Sequence, residues 1–227
     1  METTFISIPN VEDDNWQHII TQTVVLKGVS WQTYQALLAD LGDHRATRLA
    51  YDRGILEIIM PSRLHEIINC LLKRIVTALT EELNLSIKGY GSSTLDREDL
   101  EQGAEPDSCF YIQNADRLQG FDPEIPDDLP PDLAIEVDIT SPSTRRLEIY
   151  KQLGIPEVWR YTKKGLTILC LRDGEYIFGD SSTFPMISAS VLAQFVQQRQ
   201  TTDDNGVIRS VRAYVREWQK QQHQEQE

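Results

Sequence analysis

Two carboxylate-bearing segments carry the chemistry that can be read from this chain: EPDSCFYI, residues 105–112, and PPDLAIEVDITSPS, residues 130–143. Asp107 follows Pro106 and opens an apolar run. Glu136 sits in the middle of a second apolar run, with Asp132 before it and Asp138 after it. Short apolar runs bounded by turn residues read as buried strands, and a buried carboxylate is costly unless it is paired, protonated or bound to metal. Carboxylates on two adjacent strands of one sheet can converge on a single point. Hard divalent cations such as Mg²⁺ take a few carboxylate oxygens there and otherwise water and substrate phosphate. A metal seated on Glu136 therefore explains its place. The plain alternative is a structural ion pair with a nearby arginine, Arg145 or Arg146. For Asp107 the alternative is a strand-start turn residue after proline. Asp132 begins its strand as ordinary turn chemistry. Asp138 shares the face of Glu136 by the two-residue period and is an additional ligand or a neighbour that raises the site's pKa. Glu66, with Asn69 and Lys73, forms a polar stripe along an otherwise apolar helix.

Other signatures are missing. GYGSS (89–93) is glycine-rich but has no following Lys-Ser/Thr and no helix, so it is not a phosphate-binding loop. There is no GxSxG, and His18, His44, His65 and His223 are scattered, none at metal-ligand spacing to another His or Cys.

The elements that must position these residues follow from periodicity. The pattern predicts a helix over 29–42, capped by Ser30 and Gly42, and a hairpin over 47–61 turning at Asp52, Arg53 and Gly54. Ser62 opens a long helix over 63–83, with apolar residues at helical spacing from Leu64 to Leu79. Strands are predicted over 85–91, 107–113 and 132–139, the last apolar on both faces, then a short helix over 141–154. Strands over 156–161, 165–171 and 175–178 and helices over about 187–198 and 206–220 complete the chain. This order predicts one mixed α/β sheet flanked by helices.

Composition bounds the rest. The chain has 227 residues, 40% of them hydrophobic, enough for a sizeable core. No apolar stretch approaches the roughly 20 residues of a membrane span, and the acidic N-terminus lacks the basic-then-apolar form of a signal peptide. Cys70, Cys109 and Cys170 are odd in number and lie in apolar stretches, so free core thiols in a reducing cytoplasm are expected. Of a formal net charge of −13, nearly all falls between Asp96 and Asp138, where 14 acids face two bases.

The segments EPDSCFYI, PPDLAIEVDITSPS and LEIYKQLGIPEVWRY, with VSWQTYQALLADLGDHRATRLAYDRGILEIIMPSRLHEIINCLL upstream, resemble the Uma2 family, also called DUF820, of the PD-(D/E)XK nuclease superfamily. The resemblance spans about 28–195. It implies an α/β (α+β) restriction-endonuclease-like core and a metal-dependent endonuclease hydrolysing phosphodiester bonds of nucleic acid, DNA above all, with Mg²⁺ or Mn²⁺. It implies that Asp107 and Glu136 hold the metal and that Glu66 matches the helix acid. The family's lysine, four residues before the tyrosine of this helix, is matched by Arg146 ahead of Tyr150, with Lys73 a weaker stand-in; the other usual lysine position, two after Glu136, holds Asp138. Arg keeps the charge but offers a wide planar fork in place of a point charge. A degenerate nuclease fold that binds without cutting, or a hydrolase of small phosphodiesters, are the competing readings. Nucleic-acid contact is expected from Arg209, Arg212, Arg216 and Lys220 on the last helix, whose plain alternative is an amphipathic helix with a solvated basic edge. Double-strand cleavage would need two sites, hence a homodimer. The organisation is an N-terminal arm (1–27), a nuclease-like domain (28–198), and a C-terminal helix and tail packed on it (199–227).

Overall fold

The computed structural model describes residues 21–42, 46–126, 128–139 and 144–224. The eleven strands among the described residues form two sheets where a single one is expected from the sequence. The first holds β1 (Gln22–Lys27), β2 (Arg48–Asp52), β3 (Ile55–Met60), β5 (Leu95–Arg97) and β6 (Gln102–Ala104), in the order β1-β3-β2-β6-β5. The second holds β4 (Lys88–Gly91), β7 (Ser108–Tyr111), β8 (Leu133–Asp138), β9 (Glu157–Thr162), β10 (Gly165–Arg172) and β11 (Glu175–Phe178), in the order β11-β10-β9-β8-β7-β4. All pairings are antiparallel except β8 with β9, which α3 (Thr144–Leu153) connects. The expected arm overlaps β1 in its last residues; residues 1–20 lie outside the described residues, as do 140–143 at the expected start of α3.

The capping reading holds. Ser30 accepts from the Thr33 amide at the start of α1 (Trp31–Leu41), and Ser62 accepts from the His65 amide at the start of α2 (Arg63–Glu82). The β2–β3 hairpin turns through Arg53 and Gly54, both at positive φ. Ile68, Leu72, Ile75 and Leu79 of α2 pack on Leu133, Ile135 and Val137 of β8, together with α4 (Ala189–Gln198) and α5 (Asp204–Gln224). The other face of β8 carries Ala134, Glu136 and Asp138. Ala134 joins Ala50 of β2, Ala104 of β6, and Ile149 and Tyr150 of α3 in a second core. Three alanines let β2, β6 and β8 approach α3 closely. A third core sets Trp31 and Tyr34 of α1 against Leu49, Tyr51 and Leu56.

The tripeptide Glu105, Pro106, Asp107 is the crossing point between the sheets. The Glu105 amide donates to Leu49 O of the first sheet, and the Asp107 amide to Ile135 O of the second. The register of β7 on β8 is then held by Asp132. Its carboxylate accepts from the amides of Ile112, Gln113 and Asn114 at 2.6, 2.9 and 3.4 Å, and its own amide donates to Phe110 O. Asp132 is thus the turn residue the sequence suggests, and a buried one. Asp132→Ala leaves these amides without their acceptor, at a cost on the order of 3 kcal/mol. Urea denaturation is the check: an unchanged midpoint would show that the turn holds without it.

Candidate functional site

β8 delivers Glu136 and Asp138 to the face that meets α3, and both are buried. Arg146, in the first turn of α3, reaches down onto them. Its Nε and Nη2 donate to Glu136 Oε2 at 2.9 and 2.8 Å, and Nη2 also donates to Asp138 Oδ1 at 2.5 Å. Its Nη1 lies 4.0 Å from Oε2 of Glu57 on β3. One turn later Tyr150 donates its hydroxyl to Glu136 Oε1. The i, i+4 spacing of Arg146 and Tyr150 puts both on one helix face, while buried Ile149 anchors α3 in the core. Of the two arginines considered as structural partners for Glu136, Arg146 is the one that pairs with it. Arg145 turns to Glu57 instead, with Nη1 at 3.3 Å from Oε1. Arg160, beside Glu136 across the β8–β9 pair, donates from Nε to Asp138 Oδ2 at 2.8 Å.

Asp107 joins this group from the sheet crossing. Its Oδ2 accepts from the Val137 amide at 2.7 Å, which ties it directly to β8. Its Oδ1 lies 2.8 Å from His65 Nε2 and 3.9 Å from Arg48 Nε. Asn69, one turn beyond His65, donates from Nδ2 to Asp107 O and accepts from the Ser108 hydroxyl.

The electrostatics follow from this crowding. Burial pushes the Glu136 carboxyl up to about 7, the Arg146 guanidinium opposes it, and the charges of Asp107 and Asp138 add to it. Burial, then Glu136, raises the Tyr150 hydroxyl well above its ordinary value. Burial lowers His65, but the Asp107 hydrogen bond and charge, with Glu66 and Glu136 behind, outweigh it, and the net shift is upward.

Of the His65–Glu66 pair, the structure places His65 against Asp107 and Glu66 at the rim, where it shares Arg48 with Asp107. The buried stripe of α2 runs through His65 and Asn69. The Glu66 side chain is 46% exposed, at the rim, 3.4 Å from Arg48 Nη2. Lys73 adds no ion pair to the cluster among the described residues. Arg48, Glu57, Arg160 and His65 were not singled out; the signal for His65 was its i, i+4 pairing with Asn69 between apolar neighbours. On α5, Arg212 and Arg216 are ion-paired with Glu81 and Glu82, and Arg209 and Lys220 are exposed. Glu81 and Glu82 sit roughly 25 Å along α2 from His65, so this basic helix edge belongs to the far end of the molecule.

The cleft among Arg48, His65, Asp107, Asp138 and Arg146 encloses only about 10 Å³, the scale of a single water or ion. Among the described residues, no three His, Cys, Asp or Glu side chains form a ready metal cage. Magnesium needs less than that, commonly one or two carboxylates with water and phosphate completing its shell. Asp107 and Glu136 suit it by donor chemistry, and Arg146 is what lies against Glu136.

Because His65 is raised by Asp107, the stability it contributes is complete below its ordinary value of 6.5 and is lost as pH climbs through the raised value. In chelator, the deficit of His65→Gln relative to the parent chain is therefore larger at pH 6 than at pH 9 by urea denaturation. Equal deficits at both would contradict the ion pair.

No described helix is long and apolar enough to cross a membrane. Among curated proteins none matches the chain. A similar solved structure is that of a "putative nuclease belonging to DUF820" from Anabaena variabilis ATCC 29413, at 13% identity, with a TM-score of 0.54 over 73% of this chain and 98% of that one. At that identity the likeness establishes the fold alone, a mixed α+β one. The sequence profile of Uma2, described as "Putative restriction endonuclease", matches residues 31–194, a span that contains Arg48, His65, Asp107, Glu136 and Arg146, and the chain belongs to the Uma2 family.

Proposed function

We propose that this chain is a divalent-metal-dependent endonuclease that hydrolyses phosphodiester bonds of nucleic acid, DNA being the favoured substrate. The observation that supports this best is the convergence of Asp107 and Glu136. They come from different parts of the fold and are both buried; Asp107 accepts from the Val137 amide next to Glu136, and its charge acts on the Glu136 carboxyl. Among apolar strands, carboxylates so placed are costly, and an apolar pair would stabilise the same core at less cost.

In this reading Asp107 and Glu136 would hold Mg²⁺ or Mn²⁺. Once bound, the ion supplies Lewis acidity toward a phosphoryl oxygen and the attacking water. The chain's own residues supply the rest. His65 fixes Asp107, and Tyr150 fixes Glu136 through the oxygen that Arg146 does not engage. Arg146 stands in for the family's lysine and orients a phosphate oxygen. Water's oxygen bonds to phosphorus and one P–O ester bond breaks. One proton ends on the departing sugar hydroxyl, the other on the new terminal phosphate. Two copies would be required to cut both strands, which a homodimer would provide.

A second reading has its own support. Arg146 already satisfies Glu136 Oε2 and reaches Asp138, as in a nuclease fold that keeps its architecture and binds without cutting.

Plasmid nicking in Mg²⁺ or Mn²⁺, with calorimetric metal titration in the same buffer, separates the two. The expected result is nicking that needs the metal and falls at least 100-fold in Asp107→Ala and in Glu136→Ala, with loss of metal binding. Metal binding without nicking would support the non-cutting fold, and no binding at millimolar metal would overturn the metal-dependent reading.

A further inference from the structure

We propose that the Arg146 guanidinium is the built-in counter-cation of the carboxylate cluster, and that a divalent ion enters only in exchange for it. This rests on the metal-dependent reading above and adds how the site is loaded.

The geometry is that of an occupied cation position. Two donors of Arg146 converge on one oxygen, Glu136 Oε2, at 2.9 and 2.8 Å, and so take up both of its lone pairs. Nη2 bridges onward to Asp138 Oδ1, and Nη1 faces Glu57 at 4.0 Å. The Tyr150 hydroxyl engages the remaining Glu136 oxygen. An ion that took Glu136 Oε2 as ligand would have to remove Arg146 from it, and one that took the remaining lone pair of Oε1 would still stand within a few ångström of a second full positive charge. Repulsion at that range is severe where water is excluded, and Arg146 is 4% exposed.

The fork matters because of its shape. A lysine ammonium is a compact point charge that can satisfy one carboxylate and leave another free. The guanidinium instead places two nitrogens, Nε and Nη2, on Glu136 Oε2 while Nη2 also reaches Asp138, a hold that one ammonium nitrogen cannot reproduce. Nor can the backbone yield instead: Ile149 and Tyr150 hold α3 in the core with no exposed surface. Only the Arg146 side chain is left to move. Asp138 loses least by that movement, because Arg160 holds its other oxygen. Released, the guanidinium becomes available to a phosphate oxygen, so metal and phosphate would each favour the other's binding by the same factor.

The test is Mg²⁺ titration by calorimetry into the full chain, Arg146→Met and Arg146→Lys, with thermal unfolding of each in chelator and in Mg²⁺. The expected result is Mg²⁺ affinity at least tenfold tighter in Arg146→Met than in the parent. Its Tm is expected to fall in chelator and to recover with Mg²⁺, with Arg146→Lys between. Should Arg146→Met fail to fold, Arg146→Lys carries the comparison, since it keeps a charge but cannot place two nitrogens on Glu136 Oε2. Parent and variants binding Mg²⁺ within twofold of each other would overturn the exchange and leave the metal-dependent reading standing. If none of the three bound Mg²⁺, that reading would fall and the exchange with it.

Discussion

The ionic fork between Arg146 and the carboxylates of Glu136 and Asp138 is the contact on which this half of the molecule depends. β8 is buried along its whole length, and two of its six residues are acids on one face. Burying such charges without partners costs several kcal/mol each. The fold answers with Arg146 from α3, Arg160 from β9 and the Tyr150 hydroxyl. Removing Arg146 alone would take the paired cation from Glu136, while Asp138 would keep Arg160. A group placed at that expense, where an apolar core would be simpler, is a reason to look for function at Glu136.

Meeting that constraint shapes the architecture around it. Arg146 can reach β8 only if α3 lies close to the strand, and α3 lies close because Ala50, Ala104 and Ala134 leave no bulk between them. Asp107 can join only because the chain leaves β6 of one sheet and enters β7 of the other within three residues. Pro106 stiffens that crossing, and the amides on either side bond to opposite sheets. The dipeptide Pro106-Asp107 thus sets the junction between two sheets, as well as opening a strand.

Much of this was legible in the sequence because it rests on local signals. The Ser30 and Ser62 caps, the Arg53-Gly54 turn, the apolar period of α2 and the run of β8 are written in neighbouring residues. The division into two sheets is not. β5 and β6 are three residues each, LDR and QGA, and carry neither alternation nor β-branched residues. β6 pairs with β2 through Ala50, Tyr51 and Asp52, a partner about fifty residues away. The choice between His65 and Glu66 turned on a rotation of 100° about the helix axis. Both are polar, and only the packing of Asn69 on Ser108 decides which faces Asp107. Arg48 and Glu57 were invisible for the same reason: their strands belong to the other sheet, and nothing nearby in sequence points them at β8.

The acidity of the middle segment also divides in two. Glu105, Asp107, Asp132, Glu136 and Asp138 are buried, and each has an amide, hydroxyl or cation as partner. They contribute to formal charge far more than to the field outside. Asp96, Glu98, Asp99 and Asp128 instead line a broad groove beside Trp31 and Gln35, on the first sheet's side. That groove repels a polyanion. The cations around the cluster that retain some solvent contact are Arg48, Arg145 and Arg160, with side chains 13, 30 and 23% exposed. The groove is therefore acidic, and the accessible positive charge beside the cluster lies at a rim formed by Arg48 of β2, Arg145 of α3 and Arg160 of β9. That rim borders the cluster itself: Arg145 holds Glu57, Arg160 holds Asp138, and Arg48 lies 3.4 Å from Glu66 and 3.9 Å from Asp107.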